Sequence, residues 1–157
     1  MTRDLVSRRT RNDFREFLAG WTLREIQVAF DGADIRCDRA HHPRVEGKRR
    51  ACVEQYYVTL NFAKPAAVRR LLLAYERVLE RAEADSLVAR EQETACTLAQ
   101  LKASLAQDGF TSRDGTISDH LRVLIEAFLA VVERVLPEQF LEQVTGQRVF
   151  AKQPGAL

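Results

Sequence analysis

Between residues 37 and 52 the chain carries four side chains of types that bind zinc: Cys37, His41, His42 and Cys52. Thiolates and imidazoles are the usual donors of a tetrahedral zinc site. Their order, C-x3-H-H-x9-C, matches no common structural site, and adjacent histidines seldom turn onto one ion. The plainer reading is a polar loop with two exposed histidines and a cysteine buried beside Val53; on that reading no metal or cofactor is expected. A second constellation pairs arginine with histidine. Arg36 stands five positions before His41, and Arg113 stands seven before His120. Histidine moves a proton near neutral pH and a guanidinium holds a phosphate in bidentate fashion, so such a pair suits metal-independent phosphodiester cleavage.

Written as R-x4-H and R-x6-H, these pairs resemble the motif of the HEPN ribonuclease superfamily, in which an arginine and a histidine a few residues apart cleave RNA in a helical dimer. That resemblance implies catalytic roles for Arg113 and His120, the better pair because His120 opens a strongly apolar helix. The alternative places His120 in an ordinary first helical turn and Arg113 in solvent. P-loop, G-x-G-x-x-G, H-E-x-x-H and G-x-S-x-G patterns are all missing, so no familiar enzyme is indicated.

Two basic runs remain. Arg8, Arg9 and Arg11 precede the first expected helix, and Lys48, Arg49 and Arg50 precede the third. Acids, not bases, favour a helix start, so Lys48 to Arg50 do nothing for their own helix. Clustered cations neutralise phosphates without reading sequence, and the plainer reading is a charged surface. The formal net charge is only +2, but residues 1 to 50 hold 12 Lys plus Arg against 8 Asp plus Glu, a balance of +4, which leaves −2 for the remainder. The stretch "TLREIQVAFDGADI" looks like the first helix of a helix-turn-helix, with Glu25 and Ala29 well placed. The following "RCDRAHHP" does not continue as a recognition helix, which leaves a helical DNA-binding regulator as an alternative only.

The elements that must position these groups are helical. Thr10 and Asp13 have the spacing of an N-cap for a helix bearing Phe14, Phe17 and Leu18, with Gly20 as a left-handed stop. Thr22 and Glu25 form a capping box ahead of Leu23, Ile26 and Phe30, with Trp21 and Ile26 at the positions of a hydrophobic staple, and that helix ends at Asp31 and Gly32. Residues 33–47 lack a helical stripe and contain Pro43, which predicts a loop of about 15 residues. A helix from Lys48 to Asn61 follows, with Val53, Tyr56, Tyr57 and Leu60 on one face. Pro65 opens a fourth, with Val68, Leu71, Leu72, Tyr75, Val78 and Leu79 inside. The apolar residues thin out around "ERAEADS", favouring a turn near Asp85. Leu98, Leu101 and Leu105 mark a fifth helix, and "DGFTSRDGTIS" reads as a polar turn anchored by Phe110 and Ile117. A helix over Leu121 to Val135 and a short one with Phe140, Leu141 and Val144 complete the chain.

No segment alternates long enough to be a strand. The expected fold is all-α, a compact single domain of six or seven helices over 1–157, with a basic N-terminal region over residues 1–62, a helical region over 63–146 and a tail at 147–157. The length of 157 residues and 46% hydrophobic content suit one globular domain. Three scattered cysteines point to a reducing compartment, and no secretory or membrane-spanning run is found. A cytoplasmic protein with no membrane partner is expected.

Taken in order, "GWTLREIQVAFDGADI", "GKRRACVEQYYVTLNF", "VRRLLLAYERVLE" and "LAQDGFTSRDGTI" resemble the N-terminal helical domains of bacterial abortive-infection proteins of the AbiJ type, over about residues 10 to 120. In that family such a domain is joined to a HEPN-type effector, so the resemblance implies sensing or regulation in defence against phage. The chain leaves no room for a separate effector, which suggests a stand-alone module. The leading expectation is therefore a non-enzymatic interaction or sensor module. It docks on a protein partner, with nucleic acid as a second candidate, through the 33–50 region and the Arg8, Arg9 and Arg11 run; self-association is left open.

Overall fold

The computed structural model of the chain describes residues 3–89 and 92–119. Five helices run in order among the described residues: α1 (Arg8–Leu18), α2 (Leu23–Asp31), α3 (Lys48–Tyr57), α4 (Pro65–Ala89) and α5 (Gln92–Gln107). An antiparallel hairpin follows, β1 (Phe110–Arg113) and β2 (Thr116–Asp119). The fold is thus mostly helical, as expected, but not purely so. The helices expected after His120 lie outside the described residues.

Ser7, not Thr10, caps α1: its backbone is extended and its hydroxyl accepts from the Thr10 amide at 3.2 Å. Thr10 is buried, and its hydroxyl donates to the Ser104 carbonyl at 3.1 Å, while Asp13 accepts from Ser104 Oγ at 2.5 Å. Both candidate caps are therefore spent on α5. Arg8, Arg9 and Arg11 consequently lie within the first turns of α1 rather than ahead of it. Gly20 has no left-handed backbone; Ala19 closes the helix by donating to Arg15 at 3.0 Å. The Thr22–Glu25 capping box forms in full, with Thr22 N donating to Glu25 Oε2 at 2.9 Å and Glu25 N to Thr22 Oγ1 at 3.2 Å.

α4 runs through Asp85 to Ala89 without the expected turn. No Gly or Pro interrupts it after Pro65, and Ala, Glu, Arg and Leu are strong helix formers. The thinning of apolar residues reports a change of exposure, not an end: Ala82 is still buried, whereas Leu87 is 82% exposed. The segment read as a polar turn is the hairpin. Asp114 and Gly115 both take positive φ, 50° and 75°, as a two-residue turn between paired strands requires. Phe110 and Ile117 are its buried residues, and the Ile117 amide donates to Glu76 Oε1 on α4 at 2.6 Å.

The core joins all of these elements. Phe14 of α1 stacks on Tyr75 of α4, centroids 3.7 Å apart, and Phe30 of α2 stacks on Tyr56 of α3 at 4.8 Å. The hydroxyls of Tyr57 and Tyr75 share a buried hydrogen bond of 2.7 Å. Burial raises both phenols far above their ordinary range, so they stay neutral. Two helix pairs are thereby fastened through one aromatic cluster, which fixes α1 beside α3.

Candidate functional site

Arg8, Arg11 and Arg15 recur at i, i+3 and i+7, so one face of α1 carries three guanidiniums. α3 lies antiparallel beside that helix. Its Tyr57 hydroxyl donates to the Arg11 carbonyl at 3.2 Å, Glu54 accepts from Arg15 at 2.5 Å, Arg50 donates to Glu16 at 2.8 Å, and Arg49 donates to the Ala19 carbonyl at 3.1 Å. Partners thus descend along α3 as they ascend along α1. The basic start of α3 meets the C-terminal end of α1, where the helix dipole favours cations. That placement explains a run of bases which its own helix would not choose.

The loop from 33 to 47 is fastened to α3 by Gln55. Its carbonyl accepts from the Asp38 amide at 2.9 Å, and its side-chain amide donates to the His41 carbonyl at 3.1 Å. Asp38 Oδ1 then accepts from the amides of Ala40 and His41 at 3.0 and 3.2 Å, forming a tight polar turn. Ile35 is buried, which anchors the loop's first half. The second half stands opposite α1.

Between α1, this loop and α3 opens a cleft of about 570 Å³. Arg8, Arg11, Arg15 and Arg44 line it, facing His41 and His42, and Glu54 is its one carboxylate. Arg15 is committed. Burial opposes its charge, but the hydrogen bond and attraction from Glu54, and then those from Glu16, outweigh this and hold the guanidinium above its ordinary value. Arg11 pairs with Asp4 at 3.1 Å and lies 3.8 Å over the Phe62 ring. Arg8 and Arg44 are exposed, and their side chains make no hydrogen bond or ion pair among the described residues.

The four zinc-type residues do not converge. Cys52 is in the core, Cys37 lies half-buried against Gln55 Oε1 at 3.8 Å, and the histidines line the cleft. Among the described residues no group of three or more His, Cys, Asp or Glu is placed to hold a metal. Arg36 is exposed and does not line the cleft that His41 faces, so the R-x4-H pair is divided. Arg113 ends β1, exposed, and His120 lies outside the described residues. Of the basic runs, Arg8 and Arg11 reach the cleft, Arg9 is exposed elsewhere on α1, Arg49 and Arg50 bind α1, and Lys48 is exposed and unpaired among the described residues.

Sequence reading missed Arg15, Arg44, Glu54 and Gln55. The i, i+3, i+7 spacing of arginines on α1 was a usable signal for Arg15; nothing local pointed to the others. No family model matches this chain, and neither a curated protein nor a solved structure is significantly similar to it. No described helix is long and apolar enough to cross a membrane.

Proposed function

We propose that the chain is a non-enzymatic interaction module that docks on an acidic protein partner along the 33–50 edge. One observation carries this reading. Arg36, Arg44 and Lys48 are exposed on that edge with side chains unpaired among the described residues, while the neighbouring Arg49 and Arg50 are held by Ala19 and Glu16. Unpaired arginines on a pinned loop and a lysine at the start of α3 suit electrostatic recognition, which sets encounter rate and specificity. The resemblance to AbiJ-type N-terminal domains supports a place for the module in bacterial defence against phage. It also supports a partner that supplies the effector chemistry.

The test is recovery of a partner from native lysate, with and without nuclease, by the parent and by an Arg36→Glu, Lys48→Glu double variant. A nuclease-resistant protein kept by the parent and lost by the variant, at unchanged helical content, is the expected result. Equal recovery by both overturns the assigned edge. Recovery that nuclease abolishes moves the contact to nucleic acid instead.

A further inference from the structure

The cleft is of a different order from a protein dock: about 570 Å³ lies within the size range of small-molecule sites. We infer that it binds a nucleotide, with the phosphates held by Arg8 and Arg44 from opposite walls and the base laid against the apolar lining of Pro43, Val45 and Val58. Charge selects the class of ligand. Of the four arginines that line it, Arg15 is paired with Glu54 and Arg11 with Asp4, which leaves Arg8 and Arg44 unpaired among the described residues. A single carboxylate ligand would offset one of these two charges and leave the other unanswered. A chain of phosphates offers several, and each suits the planar fork of a guanidinium.

The remaining lining selects between phosphates. Inorganic polyphosphate would leave Val45 and Val58 uncovered, whereas a nucleotide covers them with a flat apolar ring. His41 and His42 also line the cleft and add ring nitrogens able to bond ribose or phosphate. The histidine pair that suggested a metal site thus faces a binding cleft instead. The shared chemistry is one nucleotide unit, which either a free nucleoside triphosphate or the triphosphorylated end of an RNA strand presents. This inference goes beyond the docking proposal and shares only Arg44 with it, because Arg36 and Lys48 do not line the cleft.

Isothermal titration of the purified full chain at physiological ionic strength tests it. The titrants are ATP, GTP, adenosine, inorganic triphosphate, a short 5′-triphosphorylated RNA and polyglutamate. The expected result is binding of a nucleoside triphosphate at least about tenfold tighter than triphosphate or adenosine, weakened about tenfold or more by Arg8→Ala with Arg44→Ala. Neither arginine is tied to another element, so circular dichroism should be unchanged. RNA binding tighter than the free nucleotide assigns the site to a strand end, and equal or weaker RNA binding assigns it to the free nucleotide. No nucleotide binding at about 1 mM overturns the inference. So does affinity matched by triphosphate or polyglutamate, or affinity undiminished in the double variant.

Discussion

The side-chain amide of Gln55 donates to the carbonyl of His41 at 3.1 Å, so a residue in the second half of α3 fixes the opposite wall of the cleft. The same glutamine accepts from the backbone of Asp38. Two anchors on one residue hold a stretch that has no regular structure of its own.

Gln55→Ala should therefore cost about 1 kcal/mol through the lost side-chain bond and loosen the loop locally. Hydrogen exchange should accelerate at residues 38–42 while the amides of α4 keep their protection. Uniform acceleration across the domain would contradict a local role.

The Glu16–Arg50 pair predicts a pH dependence. The hydrogen bond from Arg50 is the largest influence on the Glu16 carboxyl and outweighs its partial desolvation, holding it below the ordinary carboxylate range. A carboxyl depressed in the folded state stabilises above its unfolded value, and that contribution fades as pH falls through the folded one. Glu16→Gln should accordingly be less stable than the parent at neutral pH, with the gap closing in acid. Urea unfolding at neutral pH and near pH 3 measures this, and a gap independent of pH would count against the pair.

Burial is the first cause raising the thiols of Cys37 and Cys52 above their ordinary value, so both stay protonated near neutrality. Cys96 is exposed. Iodoacetamide at neutral pH should label Cys96 first, and Cys52 only on unfolding. Mass spectrometry showing Cys52 modified at the rate of Cys96 would refute its burial.

Glu54→Gln should act with opposite signs on two readouts. Removing the carboxylate leaves the largely buried Arg15 without its closest partner, which lowers thermal stability. It also takes the one negative group from the cleft, so nucleoside triphosphate affinity should rise severalfold. A loss of both stability and affinity would mean that Glu54 serves the fold alone.

The helices were legible where local chemistry decides them. The Thr22–Glu25 box and the apolar face of Val53, Tyr56 and Tyr57 formed as expected, because capping and periodicity act within a few residues, whereas α3 ends at Tyr57 short of the expected Asn61 and Leu60 is buried beyond it. The hairpin was legible too, yet overlooked: Asp114–Gly115 is the turn signature of paired strands, and the four-residue strands around it are too short to alternate convincingly. The cleft was less readable. Arg44 and Glu54 meet there only because the antiparallel α1–α3 contact and the Gln55 anchor bring distant segments together. Arg49 and Arg50 misled for the same reason, since their partners lie on another helix.

The bases that open α3 carry one more implication. A glycine with φ of 96° precedes them, no side chain caps them, and their charge opposes the local dipole, so an excised peptide of this segment should be nearly coil in water. Its helicity is borrowed from α1. A wall of the cleft is therefore present only while the two helices remain together, which makes site integrity a sensitive gauge of whether the domain is assembled at all.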